Sequence, residues 1–99
     1  MPAATPRTIV EPKTQRPRLY RVLLLKDDFT PREFIVTVLK AEFRMSADEA
    51  LGVMLDALRC GLCVVAVFQK DVAETKAARA TDAAREKGYP LLFAVEPEK

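Results

Sequence analysis

Apolar positions along the chain form three short runs, separated by three stretches in which they recur at helical spacing. Leu19 to Leu25 (LYRVLLL) is short, apolar and closed off by acidic residues, which predicts a buried strand. From Pro31 to Phe43 the apolar residues Phe34, Ile35, Val38 and Leu39 fall at i, i+1, i+4 and i+5, the spacing of one helix face. A second helix is expected from Ser46 to about Cys60, with Leu51, Met54, Leu55 and Leu58 as its apolar stripe and Gly61 as the residue just past its end. Leu62 to Phe68 (LCVVAVF) is a nearly continuous β-branched and aromatic run and reads as a central strand. A third helix should run from Asp71 to about Lys87 and stop at Gly88, and its inner positions are mostly alanine: Ala73, Ala77, Ala80 and Ala84. Leu91 to Val95 then forms a last short strand.

The helix starts carry their own chemistry. Thr30-Pro31-x-Glu33, Ser46-x-x-Glu49 and Asp71-x-x-Glu74 each match a capping box, in which a short polar side chain and a carboxylate three residues on satisfy the first free N–H groups. In the first of them Pro31 takes the first helical position, where its missing N–H costs nothing. The order β-α-α-β-α-β predicts an α+β sandwich, a three-stranded antiparallel sheet packed with three helices over residues 19–96. Small alanines let the third helix lie close to that sheet. Residues 1–18 are rich in Pro, Thr and basic side chains with only Ile9 and Val10 as an apolar pair, so they are expected to be a flexible extension. Residues 97–99 are expected to be a tail.

Composition narrows the function. A chain of 99 residues suits one domain, and its formal net charge of +2 does not argue for nucleic acid or an anionic membrane. No basic stripe with exposed aromatics is visible, since Arg and Lys are scattered along all three helices. Histidine is absent, which removes the commonest general base and the commonest metal ligand together. The two cysteines, Cys60 and Cys63, cannot close a zinc site alone and sit in the order helix then strand, the reverse of a redox motif; they are expected to be small buried packing residues. No run approaches the roughly 20 apolar residues of a membrane span, and no signal peptide is legible at the N-terminus, so a cytoplasmic protein is expected. With no glycine-rich phosphate loop, no nucleophile–base pair, no metal constellation and no cofactor motif, an enzyme is not expected.

What remains is the loop Lys26-Asp27-Asp28-Phe29. Two adjacent carboxylates lie at the positive end of a helix dipole, which favours their ionised forms. Two readings stand: an ordinary solvated turn, or an anionic lip that meets a cation beside an apolar helix face. The second suits a ligand with a positive amine next to a hydrophobic side chain.

Leu19-Tyr20-Arg21-Val22, then Asp27-Asp28-Phe29-Thr30-Pro31-x-Glu33-Phe34, Met54-Leu55, Val67-Phe68, Asp71-Val72-Ala73-Glu74-Thr75-Lys76 and Pro90-Leu91-Leu92 together resemble the ClpS family, adaptors of the bacterial ATP-dependent Clp protease. The resemblance covers residues 19–96. It implies an adaptor that recognises the N-terminal residue of a substrate (an N-degron such as Leu, Phe, Tyr or Trp) and docks on the N-terminal domain of the Clp unfoldase. By that resemblance Asp27, with Asp28 beside it, holds the α-amino group. The side chain enters a pocket lined by Ile35, Met54, Ala57, Leu58 and Leu91, with Thr30, Pro31 and Arg32 at its mouth. Asp71 and Lys76 fall on the family's unfoldase-docking surface. Three departures stand out: Lys26 where most members carry Asn, Leu58 where they carry His, and Arg32 where an apolar residue is common. Each lost hydrogen bond to a charged group would weaken binding by about 1.5–3 kcal/mol, so altered N-degron preference is expected. The alternatives are an adaptor that has lost most N-degron binding and only docks on the unfoldase, or a structural domain like the C-terminal domain of the ribosomal stalk protein.

Overall fold

A computed structural model describes residues 18–98. The elements are β1 (Leu19–Leu25), α1 (Arg32–Phe43), α2 (Ala47–Cys60), β2 (Leu62–Gln69), α3 (Lys70–Glu86) and β3 (Leu92–Pro97). Order and type match the sequence pattern, and the boundaries differ from it by a residue or two. The expected extension, residues 1–18, lies outside the described residues except for Arg18. At the other end β3 runs on through Pro97, where a tail was expected, and the Glu98 amide donates to the Leu19 carbonyl at 2.9 Å.

The sheet is antiparallel throughout, in the order β2-β1-β3. The apolar run of β2, expected to be central, is therefore an edge strand, and β1 is the middle one. A continuous apolar run implies burial on both faces only if something covers both. Here the three helices lie on one face, against Val22, Leu24, Val65 and Phe93, while Leu62, Val64, Val67 and Leu92 are exposed on the other. Val22 pairs with Ala66 and Leu23 with Val64, so Val65 is the extra residue of a bulge in β2. On the outer face Arg21 of β1 forms an ion pair with Glu96 opposite it on β3.

Helix α3 presents Ala73, Ala77, Ala80 and Ala84 to the core, all buried. The hydroxyl of Thr81 on the same helix accepts the Phe93 amide of β3 at 3.0 Å, which ties helix to strand. Phe43 stacks between Phe68 and Phe93, with ring centroids at 6.5 and 5.7 Å, and closes the core where α1 ends. Leu39 and Leu24 are wholly buried at its centre. The inner face of α2 differs from its expected stripe. Ala50, Met54 and Ala57 are buried, whereas Leu51 and Leu55 are 44 % and 47 % exposed. Met54 and half-buried Leu58 keep to the expected stripe, but the helix turns Ala50 and Ala57 inward in place of Leu51 and Leu55.

One of the three capping boxes forms. Ser46 Oγ accepts from the Glu49 amide at 3.0 Å, and Glu49 Oε1 accepts from the Ser46 amide at 2.9 Å. Helix α2 ends at Gly61 with φ 84°, a conformation glycine adopts without strain. At α1 the helix starts one residue later than expected, so the N-cap is Pro31 and Thr30 stands just ahead of it. At α3 the helix begins a residue earlier than expected, with Gln69 as the cap, so Asp71 lies within the first turn and makes no capping bond.

Exchanging Ala80 for Leu should cost about 1–3 kcal/mol, because it drives a helix away from a sheet it already touches. Leu55→Ala should cost under about 1 kcal/mol, since half the side chain is already in water. Urea unfolding of the two variants checks this; a larger loss for Leu55→Ala would contradict the assigned inner face.

Candidate functional site

The loop between β1 and α1 is closed by its own first carboxylate. Asp27 Oδ1 accepts from the Phe29 and Thr30 amides at 2.7 and 2.8 Å, and Oδ2 accepts from the Thr30 hydroxyl at 2.7 Å. Thr30, only 8 % exposed, thus donates a hydrogen bond to Asp27 and stands one residue ahead of the cap of α1. Pro31 is that cap. Its ring holds φ at −63°, and its carbonyl accepts from the Phe34 and Ile35 amides at 3.1 and 3.2 Å. Glu33 remains in the first turn without closing a box. At the other end of the loop the Lys26 amide donates to the Gly61 carbonyl at 3.0 Å, which fastens the acidic segment to the end of α2.

That fastening creates a cleft of about 150 Å³, lined by Lys26, Asp27, Asp28, Thr30, Arg32, Ile35 and Leu58. Six of the ten expected ligand-site residues therefore meet on one surface. Pro31 stands beside them as the cap of α1. Met54, Ala57 and Leu91 are buried in the core and do not line the cleft, whose apolar wall is made by Ile35 and Leu58. Lys26, noted from the sequence only as a departure from the family's Asn, is here part of the cleft lining. Its Nζ lies 3.3 Å from Asp28 Oδ1, and the repeated charges of Lys26-Asp27-Asp28 were the available signal.

Electrostatics separates the two acids. Partial burial of Asp27 pushes its pKa up, but the Thr30 hydroxyl, the Phe29 and Thr30 amides and the nearby Lys26 charge outweigh this and hold it below the ordinary 3.8. Asp27 is a fixed, ionised group. Asp28 is exposed and, among the described residues, pairs with Lys26.

Asp71 and Lys76 face a second groove, of about 310 Å³, between α1 and α3, with Glu42, Arg44, Thr75 and Arg79 on its walls. Lys76 is largely engaged within the protein: its Nζ donates to the Glu42 carbonyl at 2.9 Å and lies 5.8 Å from the centre of the Phe68 ring. Asp71 is exposed. The cysteines depart from expectation, for Cys60 is exposed and Cys63 half-buried, both as free thiols. Burial, with the Asp56 charge and Cys60 nearby, pushes the Cys63 thiol up, which disfavours the reactive thiolate. Among the described residues no group of three or more His, Cys, Asp or Glu is placed to hold a metal, and no helix is long and apolar enough to cross a membrane.

Fold and cleft define a small α+β domain with a charged cleft at one helix start. The family model described as "ATP-dependent Clp protease adaptor protein ClpS" matches residues 15–94, and the chain belongs to that family. It is 65 % identical, over the whole of both chains, to the ATP-dependent Clp protease adapter protein ClpS 2 of Mesorhizobium japonicum. It is 66 % identical to ClpS 1 of Rhodopseudomonas palustris, over 88 % of this chain and 84 % of that one. Among solved structures, ClpS2 of Agrobacterium tumefaciens bound to L-phenylalaninamide superposes with a TM-score of 0.83 at 58 % identity, covering 84 % of this chain and 100 % of that one.

The depressed pKa of Asp27 carries a pH signature. Such a group contributes stability above the unfolded Asp value, about 3.9, and that contribution is lost as pH falls through the lower folded value. Urea unfolding between about pH 6 and about pH 3 should show a steeper loss for the parent than for Asp27→Asn. Parallel losses would mean that the loop does not hold this charge.

Proposed function

We propose that this adaptor captures the free amino terminus of a polypeptide in the cleft between Asp27 and Leu58, and hands the chain to the Clp unfoldase in the cytoplasm. The carrying observation is the juxtaposition of an ionised lip, Asp27 and Asp28, with an apolar wall, Ile35 and Leu58. Support comes from the 58 % identity to a ClpS2 whose structure is bound to L-phenylalaninamide, an amine attached to an aromatic side chain.

Each residue has a physical role in this reading. A charge-assisted hydrogen bond to carboxylate holds the α-ammonium in a partly dry site. Thr30 and Pro31 fix the loop that carries it, and Arg32 stands at the mouth. Ile35 and Leu58 meet a large apolar first side chain such as Leu, Phe, Tyr or Trp. Met54, Ala57 and Leu91 form the layer behind them, and the single methyl of Ala57 leaves the most room for that wall to yield. Docking on the unfoldase N-terminal domain uses the groove that holds Asp71 and Lys76, with exposed Asp71 in direct contact and Lys76 keeping α1 and α3 together beneath it.

A second reading, an adaptor that docks on the unfoldase but has lost most N-degron binding, is favoured by one observation: an ammonium, that of Lys26, already sits at Asp28.

Fluorescence polarisation with peptides beginning Leu, Phe, Tyr or Trp, each beside its N-acetylated twin, separates the two. Amine capture predicts that acetylation weakens binding at least about tenfold, the worth of one hydrogen bond to a charged group. No difference between the twins, with the unfoldase domain still bound, would favour the second reading. For docking, Asp71→Lys should weaken binding to the isolated unfoldase N-terminal domain by about tenfold or more, through reversal of a contact charge; unchanged affinity would move the interface elsewhere.

A further inference from the structure

We propose that Lys26 is an internal competitor for the anionic lip, so that a ligand binds by exchanging its ammonium for the lysine's and the displaced lysine then helps select the residue that follows. This inference rests on the amine-capture reading above.

The acceptors in the cleft are few. Asp27 already takes three hydrogen bonds from its own loop, two on Oδ1 and one on Oδ2. A carboxylate offers about four lone-pair sites, so Asp27 has room for about one more donor. An α-ammonium brings three N–H groups, and Ile35 and Leu58 accept none of them. The other charged acceptor lining the cleft is Asp28, and Lys26 Nζ is on it at 3.3 Å. If Lys26 stays, two ammonium groups share one small cleft and repel. If it leaves, the Lys26–Asp28 pair is lost. Either course lowers the affinity for an N-terminal amine.

The size of the effect follows from exposure. Asp28 is 87 % exposed and Lys26 24 %, so water screens the pair, and such pairs are worth up to about 1 kcal/mol, a factor of about five. Lysine's flexible four-carbon stem makes displacement the cheaper course. Once displaced, its ammonium remains beside Arg32 at the rim of the same cleft. Two cations then flank whatever follows the first residue of the bound chain. An acidic second residue meets them favourably, and a basic one is repelled.

Titration of L-phenylalaninamide against the parent chain and Lys26→Met tests the exchange. Thermal unfolding of both proteins verifies the fold, since the backbone bond from residue 26 to Gly61 is untouched by the substitution. The expected result is binding about fivefold tighter in Lys26→Met. Binding equal to or weaker than the parent's, with both proteins still preferring free over N-acetylated peptides, overturns the exchange and leaves amine capture standing. If neither protein distinguishes a free from an acetylated amino terminus, amine capture fails and the exchange with it. Peptides beginning Phe-Glu and Phe-Lys give the second readout. The parent should prefer Phe-Glu, and the ratio of the two affinities should shrink severalfold in Lys26→Met; an unchanged ratio overturns the lysine's part in reading the second residue.

Discussion

The site depends on a carboxylate that is mostly spent on its own backbone. Asp27 draws the Phe29 and Thr30 amides and the Thr30 hydroxyl onto its two oxygens, and this converts a short acidic stretch into a rigid turn. The same three bonds keep it ionised and aim the start of α1. Thr30 is held just ahead of the helix, and Pro31 serves as its cap with a pre-set φ. Charge, loop shape and helix start are therefore one device. Removing the carboxylate would disturb all three, so a conservative exchange to Asn is more informative there than a deletion.

Around that device the fold supplies a floor and little depth. Alanines on α3 and on the inner face of α2 bring the layers close together, and the larger leucines of α2 are left outside or at the cleft wall. Leu58 illustrates the compromise. It is on the helix end that the Lys26–Gly61 bond holds against the acidic loop, so it lines the cleft while its neighbour Ala57, and Met54 one turn before, face the core. A large apolar ligand group would meet a shallow apolar wall backed by the core itself, and accommodation of different side chains becomes a question of how far Leu58 and its neighbours yield. On that reading, binding and core packing would be coupled through one turn of helix.

Charge is balanced in the cleft, with two carboxylates facing two cations, Lys26 and Arg32. A site of that kind does not attract an ammonium over distance as an uncompensated acidic patch would. On the proposed amine capture, such a site would discriminate at contact, by whether a ligand offers the cations something to hold once it has taken the acids. The groove at Asp71 and Lys76 differs, with three cations to two acids; Lys76 and the Arg79–Glu42 pair are internally satisfied and Asp71 is left exposed.

Much of this was legible without coordinates. The β-α-α-β-α-β order, the alanine face of α3, the Ser46–Glu49 box and the glycine stop of α2 are local properties, written in residue types at fixed spacings, and the acidic loop and its family strings were equally plain. Sheet order was not legible, because the apolar run of β2 looks the same whether a strand lies beside both its edges or one. Nor was the inward face of α2, since periodicity weighs side-chain size and cannot measure the gap a helix must fit. Within the loop the Thr30–Asp27 and Lys26–Asp28 contacts are local, but residue types alone leave open which partner each side chain takes. The fastening of that loop by the Lys26–Gly61 bond and the burial of Met54, Ala57 and Leu91 depend on contacts between elements. Those are decided by which surfaces meet when the chain closes on itself, a three-dimensional fact that no single stretch contains.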